Sequence, residues 1–86
     1  MIRGTTESGF EYEICDEALD DYELLEVLAE IDAGHTGQVP LMVKLLLGEE
    51  QTKALKEHCK TNGRVTASKM LIEVTEILHS NDAGKN

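Results

Sequence analysis

A chain of 86 residues with 17 Asp/Glu against 8 Lys/Arg has room for one domain and carries a formal net charge of −9, which sets it against phosphate backbones and anionic lipid. At 41 % hydrophobic and 29 % charged, with Phe10, Tyr12 and Tyr22 as its aromatics, it has the composition of a folded protein whose core rests on Leu, Ile, Val and Met, which favours helices. No apolar run reaches the roughly 18 residues of a membrane span, the N-terminal residues hold no apolar signal segment, and the widely separated Cys15 and Cys59 suit reduced thiols, so a cytoplasmic protein is expected.

A single domain over residues 1–86 is predicted, with a flexible N-terminus (1–7), an ordered core from about 8 to 79 and a flexible tail (80–86). "GFEYEIC" alternates apolar Phe10, Tyr12 and Ile14 with Glu11 and Glu13, the period of a half-buried strand. One strand needs a partner for its backbone groups, and three are open: "RVT" at 64–66, the N-terminal residues, or a second chain.

A first helix is predicted over about 21–31, with Asp20 as cap, Glu23 completing a capping box and Leu19 stapling to Leu24. Leu24, Leu25, Val27, Leu28 and Ile31 form its apolar face, and Glu23, Glu26 and Glu30 gather opposite. Those three carboxylates repel at i,i+3 and i,i+4 spacing, at a few tenths of a kcal/mol per pair, with no Lys or Arg in the helix to relieve them. They are either a solvated face or a docking face for a basic partner. Residues 1–32 hold 11 Asp/Glu against Arg3 alone (−10), and the remainder holds 6 against 7 Lys/Arg (+1), so the acid is concentrated here.

"VPLMVKLLLGEEQ" follows, with Pro40 suited to a first helical position and Gly48 to the C-terminal side of a short second helix. Its apolar side chains cover about two-thirds of the circumference, well beyond the stripe of about 100° that a surface helix needs. Part of that surface is expected to be sandwiched by neighbouring helices and part left for a partner, with Met42, Leu45 and Leu46 as the contact residues. A third helix spans "EEQTKALKEHC" and stops near "KTNG". A fourth begins after Thr66 as cap, with Val65 stapling to Met70, and runs to about His79. Its stripe is Ala67, Met70, Leu71, Val74, Ile77 and Leu78; Ile72 points away from the stripe, and Glu73 and Glu76 are placed outward. The predicted fold class is mainly α, a small four-helix domain with a short N-terminal β-strand.

The chemical constellations are thin. "DAGHTGQVPLMV" mimics a calcium loop at Asp32 and Gly37, but Gly34 and Val43 occupy ligand positions. His35, His58, His79, Cys15 and Cys59 have no zinc-site spacing, and no hydrolase or phosphate-loop signature places Cys15 or Cys59 as a nucleophile. No catalytic residue, metal or cofactor is expected. The third and fourth helices imitate a helix-turn-helix, yet Lys69 is the fourth helix's lone base.

The order of "SGFEYEI", "DEALDDYELLEVLAEID", "LLLGEEQTKALKEHCK" and "NGRVTASKMLIEVTEIL", with "DDYELLE", "LLLGEEQ" and "GRVTASKM" as its most distinctive parts, resembles the small tail assembly chaperones of long-tailed phages and of Gram-positive prophages over residues 8–79. The resemblance implies a non-enzymatic protein of the host cytoplasm, absent from the mature virion. Such a protein coats the aggregation-prone tape measure protein and helps recruit tail tube subunits, often beside a longer frameshifted product. On this chain the binding residues would be Met42, Leu45, Leu46 and Ile72, with Glu23, Glu26 and Glu30 as an acidic surround. A groove beside the second helix would hold an amphipathic segment, or the same surface would build a homo-oligomer. No nucleic acid or membrane partner is expected. The rival readings are a small phage structural or connector protein and a helix-turn-helix-like regulatory DNA-binding domain.

Overall fold

The alternation at 10–14 folds as read: in the computed structural model, which describes residues 1–81, strand β2 (Glu11–Ile14) buries Tyr12 and Ile14, and Phe10 is buried just before it. Its partner is the N-terminal segment. Strand β1 (Ile2–Thr5) runs antiparallel to it, with Ile2 opposite Ile14 and Gly4 opposite Tyr12. Residues 1–7, expected to be flexible, thus hold an ordered strand. "IRGT" hides its alternation because the second inward position is Gly4, where the Tyr12 ring lies so close that a Cβ would collide with it. The joining loop closes on Thr6, whose N–H donates to the Phe10 carbonyl (2.9 Å) and whose hydroxyl accepts from the Phe10 N–H (3.1 Å).

A single helical turn that was not anticipated, α1 (Asp16–Leu19), separates the hairpin from α2 (Tyr22–Asp32). The cap of α2 is Asp21, not Asp20: its carboxylate accepts from the Glu23 N–H at 2.9 Å. That shift of one position moves Glu23 out of the place a capping box requires. A 3₁₀ turn (Thr36–Gln38) then leads into α3 (Val39–His58).

The second and third predicted helices are the two halves of α3, broken at Gly48, whose φ of 82° and ψ of 170° no helix contains. Glycine adopts this conformation without the penalty a Cβ brings. Side chains attend to the carbonyls at the break: Gln51 Nε2 donates to the Leu47 carbonyl (2.8 Å) and the Thr52 hydroxyl to that of Gly48 (2.7 Å). Gln51 also braces β2, its Oε1 accepting from the Glu13 N–H (2.6 Å) and its Nε2 donating to the Glu13 carbonyl (2.5 Å).

After α3, strands β3 (Lys60–Thr61) and β4 (Arg64–Val65) form a small hairpin through Asn62 and Gly63, both at positive φ as a tight hairpin turn of this kind demands. "RVT" is therefore engaged with Lys60–Thr61 and does not meet β2. Helix α4 (Ala67–Ser80) starts after Thr66, whose hydroxyl makes no capping bond. Of the expected flexible tail, Ser80 is helical and the Asn81 amide donates to the Tyr12 hydroxyl (3.0 Å) and the Ile77 carbonyl (2.8 Å), while 82–86 lie outside the described residues.

The architecture is mainly α-helical, with the β1–β2 hairpin and α1, α2 and α4 arranged around α3. Neighbours on several sides absorb most of the broad apolar circumference of its first half, leaving Leu41 exposed. Met42, Val43, Leu46 and Leu47 all sit in the core, with Leu24 and Val27 of α2, Ile14 of β2 and Val74 and Ile77 of α4. Burying each such aliphatic side chain contributes about 1.5–3 kcal/mol. Among the described residues no helix is long and apolar enough to cross a membrane.

Candidate protein-binding surface

Met42 and Leu46, expected at an interface, are 4 % and 2 % exposed and hold the centre of the domain. Leu45 is half-buried in a depression shared with Met1, Cys15 and Ala18. The correction has a simple cause. The circumference of a helix does reveal excess apolar surface, but only the tertiary arrangement says how many neighbours will cover it, and α3 has neighbours in α1, α2, α4 and β2.

Uncovered apolar side chains lie at Met1, at Leu41 of α3 and Val65 of β4, and in larger number on the outer helices α2 and α4. On α2, Tyr22 and Leu25 are 67 % and 56 % exposed, although Leu25 had been counted with the inward face. On α4, Leu71 and Ile72 are 44 % and 64 % exposed; Ile72 points outward as its place off the stripe predicts, and Leu71 departs from the stripe it was assigned to. A groove of about 540 Å³ opens between the two helices, lined by Leu25, Leu28, Ala29, Ile31 and Asp32 of α2 and by Leu78 and His79 of α4. Leu71 and Ile72 lie seven residues before Leu78 and His79, hence on the same flank of α4.

Glu23, Glu26 and Glu30 are all exposed on α2. Glu30 has a hydrogen-bond partner beyond the helix, its Oε1 lying 2.5 Å from His35 Nδ1, which a search for Lys and Arg within the helix could not find. Neither Glu23 nor Glu26 has an ion-pair partner among the described residues. The groove therefore lies on the most acidic helix of the molecule. Compared with known proteins, the chain matches no family model, no curated protein and no solved structure.

A second cluster escaped the sequence altogether. Ser8 Oγ lies 2.8 Å from His58 Nε2 and donates at 2.8 Å to Glu73 Oε2, with the Thr6 hydroxyl 3.2 Å away. Nucleophile activation requires the base to take the serine proton and the acid to orient the base. Here the serine hydroxyl donates its hydrogen bond to the carboxylate, so towards His58 it can only accept, from the tautomer with an Nε2–H, and the serine is a hub between two partners. The Glu7 N–H donates to Glu76 Oε2 (2.9 Å), so this loop is fastened to α4 twice. Glu73 is accordingly buried, and Glu76 is half-buried; both had been placed on the outward face.

The two thiols sit in different surroundings. Cys59 is 1 % exposed, and burial pushes its thiol up, with the Glu73 carboxylate adding to the effect and Lys69 partly opposing it. Cys15 is exposed, and its Sγ donates to Glu17 Oε1 at 3.1 Å, a bond that holds the Glu17 carboxyl below the usual range.

Proposed function

We propose that this chain is a non-enzymatic tail assembly chaperone of a long-tailed phage or prophage. It binds amphipathic helical segments of the tape measure protein in the groove between α2 and α4, helps recruit tail tube subunits, acts in the bacterial cytoplasm and is absent from the mature virion. The supporting observation is a surplus of apolar surface: the core is complete without Leu25, Leu71 and Ile72, Leu25 lines a groove formed between two helices, and Leu71 and Ile72 are exposed on the helix that forms its other side. Contiguous apolar surface left outside a finished core marks an interaction site. A groove between two helices suits the apolar face of a third, read at i, i+3, i+4 and i+7. The carboxylates Glu23, Glu26 and Asp32 select a client whose polar face is basic.

The test is co-expression with the tape measure protein encoded nearby. The wild-type chain keeps that protein soluble, and Leu25→Asp and Ile72→Asp lose the effect while retaining the wild-type circular dichroism spectrum, because both positions are exposed. Unchanged solubility when the chain is omitted removes the proposal. Mass spectrometry of purified virions finds no copies if the protein is a chaperone and finds it if it is a structural part. A gel shift at low salt shows no retardation of DNA.

A further inference from the structure

In a chain this acidic, one apolar depression carries charge of the opposite sign. It holds about 270 Å³ between α3 and the β4–α4 segment, where Val39, Val65 and Met70 supply apolar walls and Lys44 and Lys56 the charge; among the described residues no Asp or Glu lines it. Its buried lining residues are Val43 and Thr52, and the Thr52 hydroxyl is already committed to the Gly48 carbonyl at 2.7 Å. Both lysines are exposed, and neither has a carboxylate within ion-pair distance among the described residues.

This lining selects a ligand by its chemistry. The volume is below the roughly 300–1,000 Å³ of small-molecule sites and suits one large side chain of a polypeptide. Lys44 stands on the half of α3 before the Gly48 break and Lys56 on the half after it, so two separate cations call for more than one carboxylate. No aromatic side chain lines the depression to stack a nucleic-acid base. We infer that this depression is a recognition site for an acidic polypeptide segment, with one large apolar side chain seated between the walls and carboxylates on either side of it paired with Lys44 and Lys56. Charge complementarity identifies the partner and excludes a basic one. The two surfaces of the domain then sort partners by sign: the α2–α4 groove, beside Glu23, Glu26 and Asp32, takes a basic helix, and the α3 depression takes an acidic segment. That contrast rests on the proposed client site; the acidic-segment site itself does not.

Fluorescence anisotropy of a labelled Glu-Glu-Phe-Glu-Glu peptide with the full chain tests it. The wild type binds it saturably at low salt and more weakly as ionic strength rises, whereas Glu-Glu-Ser-Glu-Glu, which lacks the apolar anchor, and Lys-Lys-Phe-Lys-Lys, which reverses the charge, do not bind. Exposed ion pairs are worth about 1.5–5-fold each, so Lys44→Ala/Lys56→Ala weakens binding by about 2–25-fold. Val65→Asp, at a position 40 % exposed, sets a carboxylate in the wall and abolishes binding with unchanged circular dichroism. A wild type that does not bind, a Glu-Glu-Ser-Glu-Glu peptide bound as tightly, or a lysine variant of undiminished affinity overturns the inference. So does displacement of the peptide by oligothymidylate, which would make the site a general polyanion patch, or by excess Lys44→Glu/Lys56→Glu chain, which would make a second copy its occupant. Peptide binding that persists while client solubilisation fails refutes the chaperone reading and leaves this one standing.

Discussion

Leu46→Ala and Leu25→Ala remove the same atoms from one residue that is 2 % exposed and one that is 56 % exposed, and the domain should respond very differently. Truncating a buried leucine loses its transfer free energy and leaves a cavity, together about 2–5 kcal/mol. An 86-residue domain has a total stability of about 4–13 kcal/mol at roughly 0.05–0.15 kcal/mol per residue. Leu46→Ala therefore removes a large fraction of it, and at about 4–8 °C per kcal/mol the melting midpoint falls by at least about 8 °C. Leu25→Ala stays within about 0.5 kcal/mol, since the side chain is already largely in water. Urea titrations followed by far-ultraviolet circular dichroism read the difference as a lower midpoint for Leu46→Ala at unchanged slope, because the surface exposed on unfolding is nearly the same. Equal midpoints for the two variants, or a less stable Leu25→Ala, would refute the division between core and binding surface. The comparison also decides which mutants inform on the proposed function: Leu46→Asp acts by unfolding the domain, whereas Leu25→Asp isolates the surface.

Gly48→Ala places a Cβ on a backbone at φ 82°, ψ 170° and costs about 1–3 kcal/mol, measured as a lower thermal midpoint. In the native state a thiol reagent modifies Cys15 alone, and Cys59 reacts only when denaturant opens the core; equal rates would contradict its burial. The raised Cys59 pKa gives a pH dependence of definite sign. As pH climbs past the ordinary thiol value of about 8.5, the unfolded thiol loses its proton while the folded one keeps it, so stability declines, and Cys59→Ala makes the decline shallower. Gln51→Leu removes the amide from the Glu13 backbone and the Leu47 carbonyl, lowers stability by about 1 kcal/mol and accelerates hydrogen exchange at the Glu13 amide.

Where a short-range pattern decides, the sequence was a sufficient guide. The alternation of Phe10, Tyr12 and Ile14 produced a strand, Gly48 interrupted the long apolar helix, and Leu24, Val27, Val74 and Ile77 faced inward as their periodicity required. What depended on distant partners was not legible. Nothing in "IRGT" announces a strand until Gly4 is seen beneath Tyr12, and Glu73 looks like a surface residue until Ser8 arrives from the far end of the chain. The candidate site suffered most. Helical projection identified Ile72 and the carboxylates of α2 as outward-facing, but it gave Met42 and Leu46 the exposure that belongs to Tyr22 and Leu25, because the number of elements packed around α3 is a property of the tertiary arrangement.

The amide of Gln51 has a consequence for how the N-terminal ribbon behaves in a crowded cell. By occupying both main-chain groups of Glu13, it acts as a one-residue surrogate strand, so a foreign polypeptide cannot anneal at that point along β2. Across the ribbon, the Arg3 guanidinium of β1 pairs with the Glu13 carboxylate at 2.9 Å, so Glu13 is held from both sides. That protection of the ribbon is anchored on the same glutamine that mends the fracture in the central helix.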